Sequence, residues 1–497
     1  MSLHTKIRRL FSTEDNLAIL ISFFILFCIG GVHFSQKADI EKKINTIEMQ
    51  GSDQGLSKNE IAQKVKGVKS MNFPAGAMLK SLVSTPQKWE LNPVDSVYDS
   101  TTKSSKAKNG FGLILSMFAL MVALGLLFGF GDKLMGGSFR KFFKAFMGLF
   151  IISIIAFVLG KQINSAYLGI NYAIWAIVIG LIISNTIGTP NWLKPAVRSE
   201  YYIKTGLILL GAEILVSKIL AIGLPGIFVS WVVTPVVLVS TYIFGQKVLK
   251  LKSKSLNMTI CADMSVCGVS AAIAIASATK AKKEELTIAI TMSMVFTIIM
   301  MVVEPMIIKA VGMPQVLAGA WIGGTLDSTG SVVAAGKFVG DTALDVAVTI
   351  KMIQNVLIGV VAFFVAIYWN LKVEKNPNGE KPKIREIWTR FPKFLIGFIL
   401  ASIIFSIIYS SLDSSSASAI IDNGIIKGFT KTIKSWLFCL AFISIGLSCN
   451  FRELSKYMQG GKHVILYVCG QSLNIILTLL MAYLMFYVVF PEVTAAI

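Results

Sequence analysis

Apolar runs of about twenty residues recur from one end of the chain to the other, and each is long enough to cross about 30 Å of hydrocarbon. The first is LAILISFFILFCIGGVHFSQ at 17–36. It has the length of a membrane span and lacks an A-x-A-like cleavage site, so it reads as an uncleaved helix rather than a signal peptide. The runs are continuous rather than alternating, which argues against a β-barrel. Only 15% of the 497 residues are charged, against about 25% in soluble domains. The expected fold class is all-α: a polytopic membrane protein embedded in a lipid bilayer.

The expected spans are 17–36, 110–131, 143–160, 170–187, 203–222, 224–245, 257–279, 286–311, 315–339, 343–369, 393–412, 434–450 and 463–490. Two of these, 257–279 and 315–339, are less apolar than the rest and are candidates for broken or re-entrant helices. Three regions follow: an N-terminal helix at 1–36, an extracytoplasmic loop at 37–109 and a transporter domain at 110–497. Lysine and arginine placement favours a cytoplasmic N-terminus, because the connectors then facing inward hold most of the cations. The richest is 371–393, with Lys372, Lys375, Lys381, Lys383, Arg385, Arg390 and Lys393. Lys280, Lys282 and Lys283 violate the rule, since they fall outside. In the long loop, SKNEIAQKVKGVK at 57–69 has a Ser57–Glu60 capping box and apolar Ile61, Val65 and Val68 on one face, which predicts a short surface helix.

The net charge of +20 does not indicate a nucleic-acid partner, because the lysines collect in short connectors, as in membrane proteins. All six cysteines lie in apolar segments, so no disulfide framework is visible. His4, His33 and His463 are scattered without metal-ligand spacing. Neither a metal nor another cofactor is expected.

An ionisable group at membrane depth costs roughly 2.5–3.5 kcal/mol on insertion scales and so marks a cavity, a partner or a pathway. Five places qualify. Asp263 lies in TICADMSVCGVSAAIAIASA at 259–278, and Asp327 in GGTLDSTGSVVAAG at 323–336. Lys351, Gln354 and Asn355 share one face of the run VTIKMIQNVLIGVV at 348–361. Glu213 and Glu304 read as structural, Glu213 pairing with Lys218 and Glu304 solvated beside Pro305. Both aspartates sit among Gly, Ser, Thr and Ala. Glycine weakens a helix by about 1 kcal/mol, and unwound backbone survives in a membrane only where protein buries it or it lines a cavity. Close packing through small residues such as Gly319 and Gly323 explains the glycines, but not the aspartates. The stretch from Gly324 to Ser331 lacks the lysine and preceding strand of a phosphate loop. GLILLGAEILVSKILAIGLPG at 206–226 resembles FISIGLSCNFRELSKYMQGG at 442–461, and in the expected topology the two run in opposite directions, a mark of secondary transporters.

The segments SVCGVSAAIA (265–274), IGGTLDSTGSVVAAG (322–336) and IKMIQNVLI (350–358), with SNTIGTP (184–190), GLILLGAEI (206–214) and SIGLSCNF (444–451), resemble the YeiH-like sulfate exporter family. That family is grouped with the bile acid/arsenite/riboflavin transporter superfamily. The resemblance runs from about residue 110 to the C-terminus, and the chain looks like a divergent branch. It has Leu326–Asp327 where the family typically has a His–Glu pair, and Gln354 where it has a basic residue. The resemblance implies inverted repeats, interrupted helices and a bacterial inner membrane.

The reading that follows is a secondary transporter, not an enzyme, for a small anion such as sulfate, a sulfonate or a carboxylate. Ser265, Cys267, Gly268, Ser270, Gly324, Thr325, Ser328, Thr329, Gly330, Ser331, Lys351 and Asn355 are expected to bind substrate. Asp263 or Asp327 is expected to carry the coupling H⁺ or Na⁺, with Lys351 neutralising one aspartate when the ion is absent, Asp327 across the site being the sharpest case, or binding the substrate. A channel lacks support because no pore motif repeats. A membrane-embedded enzyme would need a nucleophile–base pair or metal set, and a sensor would need a larger hydrophilic domain. A homodimer is left open.

Overall fold

The computed structural model describes residues 13–54, 56, 60, 63–65, 68, 73–97, 110–167, 172–213, 216–373, 393–450 and 461–497. Among them, eight helices are long and apolar enough to cross a membrane, and three apolar helices are shorter. The chain is thus an all-α, polytopic membrane protein. The basic cluster at 374–392, most of the helix expected at 57–69 and the segment 451–460 of the expected repeat lie outside the described residues.

The principal helices are α1 (Glu14–Phe34), α2 (Lys37–Asp53), α3 (Pro74–Leu82), α4 (Gly110–Leu134), α5 (Phe139–Lys161), α6 (Tyr172–Thr186), α7 (Ser199–Gly211), α8 (Val216–Ile227), α9 (Val233–Lys247), α10 (Lys254–Ala262), α11 (Val269–Ala278), α12 (Lys283–Ala310), α13 (Gln315–Thr325), α14 (Thr329–Val339), α15 (Asp341–Tyr368), α16 (Phe394–Ser410), α17 (Lys431–Ser448) and α18 (Lys462–Tyr483). They form two compact units, one of residues 1–180, 189–216 and 393–447, the other of residues 181–188, 217–392 and 448–497.

The first unit is held by aromatic packing. Phe142, Phe146 and Phe150 recur at helical spacing on α5 and are fully buried. Phe150 stacks on Trp436 with centroids 4.4 Å apart, and the Trp436 indole donates to the Ser84 carbonyl at 2.9 Å. Residues of the 37–109 loop are therefore part of this core. Its charges are paired: Arg198 bridges Asp132 at 2.7 Å and Glu14 at 3.3 Å, and Lys204 meets Asp15 at 2.8 Å.

In the second unit two glycines of α13 pack directly on the backbone of α15. A Cβ at Gly319 would stand 2.6 Å from the Ala343 carbonyl, and one at Gly323 would stand 2.6 Å from that of Ala347. The Gly-x-x-x-Gly spacing therefore brings two backbones into contact.

Two expectations are corrected and one is met. The chain does not turn between 222 and 224. Helix α7 ends at Gly211, whose Cα faces the Phe398 carbonyl, and α8 runs on past Pro225 through a π-helical turn at Phe228–Val232 into α9. Proline removes one donor and crowds the preceding turn, and the wider π turn keeps the helix continuous. The connector expected at 413–433 is helical and leads directly into α17. The segments 257–279 and 315–339 are each two half-helices, the broken form expected of them.

Candidate functional site

Both interruptions follow from local sequence. Helix α10 ends in a π-helical turn at Asp263–Cys267, closed by a bond from the Gly268 N–H to the Asp263 carbonyl at 2.8 Å. Gly268 has φ +65°, a conformation that only glycine takes without strain, and α11 starts immediately after it. Helix α13 ends at Thr325; Leu326 and Ser328 are extended. The Ser328 hydroxyl then caps α14 by accepting from the Ser331 N–H at 3.1 Å, the usual role of serine at a helix start. A Cβ on Gly268 would lie 3.4 Å from both Asp327 Cβ and Ser293 Oγ, so the two breaks meet.

A broken helix leaves carbonyls without partners, and here long polar side chains from other helices bind them. The Lys351 ammonium donates to the Val266 carbonyl at 2.8 Å and to Gln354 Oε1 at 2.7 Å. Gln354 Nε2 reaches the Ser265 carbonyl at 3.1 Å, Thr234 Oγ1 at 3.1 Å and the Gly324 carbonyl at 3.4 Å. Gln471 of α18 donates to the Thr325 carbonyl at 2.8 Å. The polar stripe on α15 and one amide on α18 thus cap the ends of α10 and α13.

The aspartates differ sharply, although both are buried. Asp327 Oδ2 accepts from the hydroxyls of Tyr467, Ser293 (3.3 Å) and Thr297 (3.2 Å). Neither oxygen of Asp263 has a hydrogen-bonding partner, nor has Asp327 Oδ1. The two carboxylates lie within electrostatic reach of each other, and Asp327 within reach of Lys351.

Of the other expected site residues, Asn355 donates to Thr329 Oγ1 at 3.2 Å. The hydroxyls of Ser328 and Ser331 are 2.7 Å apart. Ser265 donates to its own helix at the Cys261 carbonyl, 2.6 Å away. Thr325 lies 2.7 Å from both Glu304 Oε1 and the Trp321 carbonyl. Gly268, Gly324, Gly330 and Cys267 are buried at the breaks. Ser270 is not brought to the cluster: helical periodicity puts it on the exposed face of α11 with Ile273 and Ser277.

Lys351 and Asp327 lie within electrostatic reach of each other, but their hydrogen bonds go to other groups. The π turn frees a carbonyl that takes the ammonium, while three hydroxyls take the carboxylate. Glu304 is buried and hydrogen-bonded rather than solvated. Glu213 forms an ion pair with Lys434; the side chain of Lys218, its expected partner, lies outside the described residues. Sequence reasoning missed Ser293, Thr297 and the stripe Tyr467, Gln471, Asn474 and Thr478. That stripe follows helical spacing on α18, the signal that revealed the α15 face. Among the described residues no group of three or more His, Cys, Asp or Glu could hold a metal ion.

Two interrupted helices joined through buried polar caps define the class: a multi-pass membrane protein with unwound backbone enclosed by protein. The profile of a family described as "Conserved hypothetical protein 698" matches residues 144–467. A UPF0324 membrane protein of Nitratidesulfovibrio vulgaris is 59% identical over 398 residues, 80% of this chain and 68% of the relative. Another, from Rhodopirellula baltica, is 53% identical over 418 residues, 84% of this chain and 74% of the relative. The chain belongs to this family of UPF0324 membrane proteins. No solved structure matches.

Proposed function

We propose that the protein is a secondary transporter of a small anion such as sulfate, a sulfonate or a carboxylate, coupled to a cation, and that it is not an enzyme. The observation that carries this reading is the meeting of two half-helix breaks around two buried carboxylates, one of them without any hydrogen-bonding partner. Interrupted helices with ionisable groups at their breaks are how secondary transporters place substrate and coupling ion. Helix α11 starts at the Asp263 break without a side-chain cap, and free N–H groups at a helix start favour an anion. The resemblance to the sulfate exporter family supports the same substrate class.

Purified protein in lipid vesicles should take up labelled anion saturably, and anion on the opposite side should stimulate exchange. Currents with clear single-channel steps would point to an anion channel instead. We place the protein in the inner membrane with its N-terminus and the 371–393 connector in the cytoplasm and the 37–109 segment outside. Single cysteines at Ser52 and Asn378 in a cysteine-free background, probed with an impermeant thiol reagent in intact cells, test this. Labelling at 378 and not at 52 reverses the orientation.

A further inference from the structure

The surroundings of the two aspartates suit them to different roles. Three hydroxyls converge on one oxygen of Asp327. Hydrogen bonds donated to a carboxylate stabilise its charged form, and the Lys351 ammonium lies within electrostatic reach. Asp263 is fully buried without an ion-pair partner, and the one hydroxyl near it, that of Ser293, makes its geometric hydrogen bond to Asp327 at 3.3 Å instead. A lone ionised carboxylate in an apolar interior is prohibitively costly, and such a group is buried neutral instead. Close to an ionised Asp327 the cost rises further, because neighbouring like charges do not both persist.

The groups around Asp263 are few. Helix α18 brings Tyr467 into electrostatic reach of it. The 326–328 break brings Asp327, and α12 brings the Ser293 hydroxyl. From α15, Lys351 binds Val266 three residues along the chain. Its own helix and π turn carry Lys254, Cys261 and Cys267, Tyr242 of α9 lies within electrostatic reach of Cys261, and α11 has no titratable residue. Glu304 of α12 reaches Asp327 electrostatically and hydrogen-bonds Thr325.

A metal cation needs several oxygen ligands, commonly six or more for calcium. The carbonyls of Ser265 and Val266, freed by the π turn, would be its natural source. Both are already bound, by Gln354 and by the Lys351 ammonium. The ammonium also puts a fixed positive charge where such an ion would sit.

We propose that the coupling ion is a proton carried by Asp263, beside an Asp327 held ionised, with Lys351 filling the carbonyl site that Na⁺ would need. Loading places the proton on a carboxylate oxygen of Asp263 and forms the neutral acid. Unloading breaks that O–H bond, gives the proton to water and leaves two neighbouring carboxylates beside one ammonium. That unfavourable arrangement favours reloading or the entry of compensating charge.

The proposal rests on the transport reading, and two measurements on the full-length protein in lipid vesicles separate them. Infrared spectra across pH, without substrate, should show a protonated-carboxyl C=O band. The band should vanish in Asp263→Asn, persist in Asp327→Asn and be indifferent to exchanging Na⁺ for K⁺. Glu304→Gln identifies any contribution from Glu304, and Asp263→Ser replaces the asparagine variant should that one not fold. Absence of an Asp263-dependent band, or its displacement by Na⁺, overturns the proton site whatever the flux. Sulfate uptake should follow an imposed pH gradient, ignore Na⁺ and fall at least tenfold in Asp263→Asn. Uptake that requires Na⁺ overturns the proposal. An Asp263-dependent band without uptake of any anion retains the proton site and overturns transport.

Discussion

Two buried lysines, one in each unit, solve the same problem in opposite ways. Lys434 on α17 forms an ion pair with Glu213, and both side chains are nearly inaccessible. Lys351 on α15 is as deeply buried but has no carboxylate in contact, only a carbonyl and an amide oxygen. The first is a closed pair whose charges cancel locally. The second is a cap whose charge is balanced at a distance, so protonation of a neighbouring carboxylate alters its surroundings. A direct ion pair fixes structure; a charge held by neutral acceptors beside two acids leaves electrostatics that a ligand or proton can change.

Double-mutant cycles test this contrast most strongly. Glu213→Gln or Lys434→Met alone leaves a buried charge unpaired and should destabilise by about 3–5 kcal/mol, with the double variant recovering much of that. Lys351→Met orphans the Val266 carbonyl and Gln354 Oε1, at about 1–3 kcal/mol for each buried acceptor, and adding Asp327→Asn should recover little. Unfolding in detergent measures both cycles; a Lys351–Asp327 coupling as large as that of Glu213–Lys434 would erase the distinction. A smaller effect is expected for Tyr467→Phe, which removes one donor from Asp327 and keeps the ring on Phe296. A hydrogen bond to a charged group is worth about 1.5–3 kcal/mol. Transport should fall while the thermal midpoint drops only modestly, and unchanged transport would show that the hydroxyl does not tune Asp327. The smallest effect is expected from Ser328→Ala, which uncaps α14 at a cost of about 1 kcal/mol. Hydrogen exchange should rise at Thr329–Ser331 and stay unchanged at α17.

The interruptions at 263–268 and 326–328 were legible because glycine and hydroxyl residues around a carboxylate have no comfortable place in a lipid-exposed helix. The face shared by Lys351, Gln354 and Asn355 was legible because polar periodicity on an apolar helix is local. Pairing was not. Glu213 and Lys434 lie 221 positions apart, and no local pattern links them. The hydrogen bond from Lys351 to the Val266 carbonyl was not legible, because a carbonyl freed by a π turn has no signature in side-chain identity. The α18 stripe was overlooked because its members are single polar residues dispersed among Ile, Leu and Val. The turn expected at Gly223 failed because glycine and proline weaken a helix without compelling it to end.

The short length of the half-helices has a consequence for how the protein is made. Helices α10, α11, α13 and α14 have 9, 10, 11 and 11 residues, so each rises roughly 14–17 Å at 1.5 Å per residue, about half of what a span needs. None can settle in hydrocarbon alone, since its open end would face lipid with bare carbonyls. Those carbonyls are covered by Lys351 and Gln354, and finally by Gln471, which the ribosome adds well over a hundred residues after Thr325. The segments must therefore wait during synthesis, sheltered by the insertion machinery or by provisional neighbours, until α18 emerges. A chain stopped before residue 462 should be cleared by membrane quality-control proteases, although most of its long apolar helices would already be in place.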